Sequence, residues 1–262
     1  RVDKAAAEMS GVCAASYDDV RYNIWKRHLY IYDFVLICKG EEIARFAELD
    51  FNHIVSGKPV PSNVMVDFSG GVINLKSSIF GKYSEAASDL GYHAVSGKGR
   101  LTYTLGPVSK EFKIVTFIFN ADNIGVINAE AKVPDIEGAD IISIAKSVLN
   151  NKPVFLWVSF QNGGFIENLI GKYAKSLNKE YEDARGSVLQ AVYRRAEKSD
   201  NEMIKEKYLQ AHKFLQNGSE ISVKLDEDED ISLKELADSM DTSTLRNMGN
   251  SLKNMKIGVL AK

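Results

Sequence analysis

The chain has 262 residues, 45% hydrophobic and 26% charged, with a formal net charge of −2. That is ordinary for a soluble globular protein and long enough to bury a core in one large domain or two small ones. Two cysteines rule out a disulfide framework, and no apolar run approaches the ~18 residues of a spanning helix.

The near-neutral total hides an asymmetry. Residues 226–230 read DEDED, and without those five negatives the remainder stands at +3, so a basic face is compatible with the total. Cys38 ends an apolar run, where a buried free thiol is expected. That reading implies a reducing compartment, the cytoplasm, or the host-cell cytoplasm if the source is viral.

In chain order, residues 3–15 suggest a short helix. Residues 16–28, SYDDVRYNIWKRH, suggest a second, with Ser16 and Asp19 as a variant capping box. LYIYDFVLIC at 29–38 reads as a strand, and 43–51 as a returning strand or a short helix. SGKPVPSN at 56–63 is a loop. Residues 64–68 and 72–80 read as two strands joined by a tight turn at Ser69-Gly70-Gly71. A long loop with one helical turn near 85–90 covers 81–99.

Residues 98–133 read as an antiparallel meander, because β-branched and aromatic runs alternate with polar turns. Its middle run, 112–119, is apolar almost throughout and suits a central strand covered on both faces. Residues 140–149 fit a helix and 153–160 a buried strand. From Phe165 a helical period runs through Leu169, Tyr173, Leu177, Tyr181, Ala184, Val188 and Val192, which Gly186 interrupts. Ser199 and Glu202 mark the next helix, which stops at Asn217-Gly218. Residues 220–225 are extended. A capping box at Ser232 and Glu235 opens another helix, and the rest of the tail is basic and mobile.

The layout predicts an α+β fold: an antiparallel β-sheet body followed by C-terminal helices. An oligonucleotide-binding-type (OB-like) barrel is one version of that body, and a sandwich is equally legal. Three segments follow. Residues 1–160 form the β-rich body with an N-terminal helix, 161–218 a helical region packed on it, and 219–262 an acidic linker with a basic tail.

No catalytic, metal or cofactor motif stands out. Asp122 with Glu130-Ala131-Lys132 resembles the carboxylate and lysine set of a metal-dependent nuclease. However, Asp122 lies in a turn eight residues ahead of Glu130, and Asp-Asn-x-Gly is ordinary turn chemistry. His28, His53, His93 and His212 have no ligand spacing.

The persistent signal is aromatic interleaved with basic. Arg21, Tyr22, Trp25, Lys26 and Arg27 form one cluster. Lys82, Tyr83, Lys98, Arg100 and Tyr103 form another, with Lys76 able to join it. Aromatic faces stack bases and cations track phosphates, which is how single strands are held. The competing reading places the aromatics in the core and the charges on a solvated surface.

Within 16–100, SYDDVRYNIWKRH, KGEEI at 39–43, GGVINL at 70–75 and HAVSGKGR at 93–100 resemble, in order, short pieces of orthobunyavirus nucleoproteins. That likeness implies the same nucleic-acid chemistry. It covers about a third of the chain and reaches only the first three residues of the meander, and that family is mainly helical, so no family is assigned.

The expectation is a non-enzymatic single-stranded nucleic-acid-binding protein of viral or phage origin. Its tail at 226–262 would meet replication or transcription proteins; it would have no membrane partner and could form a homo-oligomer. The alternatives are a viral assembly protein (matrix, capsid or nucleoprotein-like) and the nuclease.

Overall fold

A computed structural model describes residues 13–55, 60–106, 108–138, 141–225, 232 and 258–261. The fold is α+β, built on one large antiparallel sheet of eleven strands. Its strands are β1 (Cys13–Ser16), β2 (Asp19–Asn23), β3 (His28–Cys38), β4 (Glu41–Val55), β5 (Asn63–Asn74), β6 (Ala94–Gly106), β7 (Glu111–Ala121), β8 (Gly125–Val133), β9 (Phe155–Asn162), β10 (Glu220–Leu225) and β11 (Gly258–Ala261). From β3 to β11 each strand pairs with the next in sequence, while β1 and β2 both pair with β3. This order closes no barrel among the described residues; the sheet is open.

Among the described residues five α-helices decorate it: α1 (Lys82–Asp89), α2 (Ile141–Asn150), α3 (Phe165–Ser176), α4 (Tyr181–Glu197) and α5 (Glu202–Asn217). Only α3, α4 and α5 form a group, inserted between β9 and β10. Gly218 at φ 66° ends α5, where only a residue tolerant of left-handed backbone stops a helix cleanly.

The sequence reading is corrected in several places. Residues 16–28 are two strand segments and a turn. Val20 and Tyr22 alternate with Arg21 and Asn23, and pairing to β3 outweighs the capping-box signal. Residues 63–74 are one strand, because Ser69-Gly70-Gly71 is a bulge inside β5 and not a turn. Beyond Asn74 the chain makes a short 3-10 turn at 78–80 instead of continuing as strand.

The expected long helix breaks at 177–180, whereas Gly186 sits inside α4 without interrupting it. Asn201, not Ser199, caps α5, accepting from the backbone N–H of Met203 and Ile204 at 3.0 and 3.2 Å. The tail's end, Gly258–Ala261, is strand β11 on β10. DEDED and residues 233–257 lie outside the described residues, as do residues 3–12 of the helix expected at 3–15; its last residues, 13–15, are instead part of strand β1, held there by pairing to β3.

Cys38 is not a free thiol. It is bridged to Cys13, which register places directly opposite it across β1 and β3. The bridge removes the reason for expecting a reducing compartment, since such bonds persist where the surroundings are oxidising. No helix among the described residues is long and apolar enough to cross a membrane.

Candidate functional site

Register makes the sheet two-faced. Residues paired across strands share a face, so one row can be followed through the whole sheet. The row through Phe68, Gly99 and Phe119 runs outward to Leu49, Ile31 and Val20 on one side. On the other it continues to Ile127, Phe160, Ile221 and Ala261. The next row on that face holds Tyr22, Leu29, Phe51, Val66, Leu101, Phe117, Ala129, Val158, Val223 and Val259. Neither row contains a charged side chain.

A crease extends this apolar face. Strict alternation from Ile31 would put Phe34 on the other face. Asp33 takes φ 49° and Gly70 takes φ 56°, and Ala47 lies between them in the register. Left-handed residues and bulges re-aim the side chains that follow. Phe34 and Phe46 thereby join Phe68 and Phe119 in a chain of rings with centroids 6.3, 5.4 and 6.0 Å apart. Glycines make room for it: a methyl on Gly97 would meet the Phe119 ring, and one on Gly99 the Phe68 ring.

The described helices cover part of the face. Ile166, Ile170 and Ala174 of α3, Ala184 of α4 and Phe214 of α5 pack on Ala261, with Phe160 and Ile221 against them. Ile144 and Val148 of α2 pack with Val133, Leu105 and Phe112 at one end. A third cluster, Ala131, Leu156, Leu225 and Val259, lies between. None of these clusters reaches Phe34, Phe46, Phe68 or Phe119. The residues of β3 to β7 in the two rows are mostly half-buried.

The opposite face is polar, and several of its charged groups pair with one another. Arg21, Tyr30, Asp50, Asp67 and Arg100 lie abreast. Arg100 donates two hydrogen bonds to Asp67, at 2.6 and 2.9 Å, and this holds the Asp67 carboxyl below its usual range. Arg21 donates to Asp19 at 2.7 Å and sits 5.3 Å from the Tyr32 ring centre. His28 Nδ1 lies 3.0 Å from Asp50 Oδ1 and 3.2 Å from Oδ2; the first approach is too poorly angled for a hydrogen bond, so Oδ1 has none. Burial pushes the Tyr30 phenol up, with Asp50 adding to it. The expected double coverage of 112–119 does not hold: Val115 and Ile118 are 46% and 37% exposed on this face.

The sequence-derived residues are therefore dispersed. Trp25, Lys26 and Arg27 occupy the β2–β3 turn, with Trp25 96% exposed. Tyr22 and Tyr103 lie on the apolar face. Tyr103 packs on Phe112 at 5.6 Å, and burial raises its phenol. Lys98 and Arg100 are on the polar face. Lys76 sits in the turn after β5, at the opposite end of the sheet from Trp25. Lys82 and Tyr83 open α1, and their side chains are outside the described residues.

The nuclease pattern does not converge. Asp122 accepts from Ser96 at 2.8 Å and Lys132 pairs with Glu111 at 2.8 Å. Glu130 is five residues along β8 from its start, roughly 16 Å. No metal-holding group occurs among the described residues. A crevice of about 330 Å³ lies between Tyr92 and α3, but its polar groups are engaged: Asn168 donates to Tyr92 at 3.0 Å and Lys172 to the Asp89 carbonyl at 3.4 Å.

Two features escaped the sequence reading, the apolar rows and the crease. The alternation of Val20 with Tyr22 and of Leu49 with Phe51 was the available signal for the rows. No protein-family model matches the chain, and no curated protein matches it.

Proposed function

We propose that this is a non-enzymatic binding protein whose apolar sheet face takes an elongated hydrocarbon ligand, such as a lipid acyl chain. The observation that carries the reading is the ring chain Phe34–Phe46–Phe68–Phe119, half-buried at its first three rings and buried at Phe119, which no helix-bearing cluster of the described residues reaches. A ligand there meets no charged side chain, and the strand backbone already bonds within the sheet, so a molecule that needs no hydrogen bonds fits best. The row from β3 to β8 spans about 24 Å at ~4.8 Å per strand, more than the ~15 Å occupied by the chains of one bilayer leaflet. Titration with an environment-sensitive fluorescent fatty acid tests this. Binding should saturate, and Phe46→Asp or Leu49→Ser, each checked for native circular dichroism, should abolish it. Absence of saturable binding, or binding indifferent to both folded variants, would refute the reading.

The second reading is single-stranded nucleic-acid binding on the polar face. It is supported by the stacked Tyr30–Tyr32 pair, 6.3 Å apart and 14° from parallel, beside Arg21 and the exposed Lys98. Oligonucleotide binding that weakens steeply with salt and is lost in Tyr32→Ala would favour it.

A further inference from the structure

We infer that the end of the sheet bearing the β2–β3 turn is a docking rim for an anionic lipid bilayer surface. In an antiparallel meander, alternate turns fall at the same end. The β2–β3, β4–β5 and β6–β7 turns and the β8–β9 connection with α2 therefore share one rim.

That rim carries the most exposed large apolar side chains of the described residues: Trp25 at 96%, Val108 at 94% and Ile24 at 74%. Turn tips are ordinarily polar, and a bare tryptophan beside isoleucine buries nothing within its own chain. The tip is also preformed. Asn23 Oδ1 accepts from the Lys26 backbone N–H at 3.0 Å and Arg27 takes φ 57°, which fixes the turn with Trp25 outward.

Cations flank these groups. Lys26 and Arg27 follow Trp25 directly, and Lys110 follows Val108, although Lys110 also pairs with Glu137 at 3.1 Å. Exposed tryptophan and aliphatic groups beside cations are the chemistry of a headgroup boundary, where an indole sits at the interface and Lys and Arg meet anionic lipid. The contact is peripheral, made by turn tips, and needs no spanning segment. Among the described residues of the connections at the other end of the sheet, Ile79 is 44% exposed, and the helical β9–β10 connection exposes Met203 at 59% and Leu177 and Tyr193 at 44%, all less bare than Trp25, Val108 and Ile24. This inference does not rest on the ligand reading, but the two surfaces adjoin, because Tyr22 on the apolar face leads straight into the turn.

The experiment uses the full chain carrying Trp157→Phe, which leaves Trp25 as the single indole. Vesicles of neutral lipid, with or without an anionic lipid, are added while Trp25 emission and co-sedimentation are followed. The expected result is a blue shift with co-sedimentation, stronger on anionic vesicles. In the parent chain, Trp25→Ala with Ile24→Ser should weaken vesicle binding at least about tenfold, as expected for two buried apolar side chains. Lys26→Gln with Arg27→Gln should weaken it roughly thirtyfold on anionic vesicles only, the worth of two cations at such a surface. These side chains are solvent-exposed, so the variants should keep native circular dichroism.

Phe46→Asp separates the two proposals: it should lose the fatty-acid probe and keep the vesicles, whereas the Trp25 variant should do the reverse. Vesicle binding unchanged by the Trp25 and Ile24 substitutions would overturn the inference. So would an emission shift produced by a single-stranded oligonucleotide and not by vesicles.

Discussion

The two faces of one sheet are built from the same eleven strands, yet they solve opposite problems. The polar face pairs charges with one another, Arg100 with Asp67 and Arg21 with Asp19. The other face carries two apolar rows, and among the described residues its helices cover the β9–β11 side and one end. A sheet with one wet face needs something on its dry face. Helices meet that need at one side, while the β3–β7 part stays half-buried. Function is therefore sought on the face whose requirement the described chain leaves unmet, and not on the face richest in charge.

The comparison breaks most readily at its centre. Phe119, on β7 near the middle of the sheet, is 7% exposed and ends the ring chain. Phe119→Ala should lower stability by about 3–5 kcal/mol, while Asn120→Ala, one residue along on the other face, should stay within about 0.5 kcal/mol. Urea unfolding measures both, and equal losses would mean that the faces are not distinct in energy.

The disulfide comes next. Closing a chain segment of this length is worth about 3 kcal/mol. Adding a thiol reductant should lower the unfolding midpoint of the wild type, and Cys13→Ser with Cys38→Ser should be insensitive to it. A midpoint that ignores reductant would deny the Cys13–Cys38 bond.

The smallest effect belongs to the polar face. Asp67 is held below its unfolded value by Arg100, so its contribution is present above the ordinary carboxylate range and is lost as pH falls through that range. Glu111 behaves likewise, held down by Lys132 and then Lys113. Arg100→Ala should cost under about 1 kcal/mol at neutral pH, because both partners are partly solvated. It should also flatten the acid limb of a stability–pH curve. An unchanged acid limb would remove Asp67 from the account.

Sequence carried the regular parts of this fold well. Residues 29–38, the strands of the 98–133 meander and the start of a helix at Phe165 follow from periodicity, although the apolar middle run of the meander is exposed at Val115 and Ile118 and the helix breaks after Ser176. What pairing decides was hidden. Val20 and Tyr22 become a strand because β3 offers a partner edge, and Ser69-Gly70-Gly71 becomes a bulge because Asp33 bends beside it. Cys13 and Cys38 meet only once β1 and β3 are in register. The candidate site was less legible still. Aromatic and basic residues clustered along the chain at 21–27 and 82–103, but alternation sends neighbours to opposite faces. Arg100 and Tyr103 thus part company across a three-residue step. The apolar rows are a property of ten strands lying abreast, which no single segment displays.

The most direct test is to map where a hydrocarbon sits. A photoreactive fatty acid carrying a diazirine along its chain would be bound to the full protein and crosslinked, and the adducts located by peptide mass spectrometry. The account predicts adducts on the apolar face of β3–β7, at residues such as Phe34, Phe46, Leu49 and Phe68, competed away by unlabelled fatty acid. Adducts confined to polar-face residues such as Tyr30 and Tyr32, or none that excess fatty acid displaces, would contradict it.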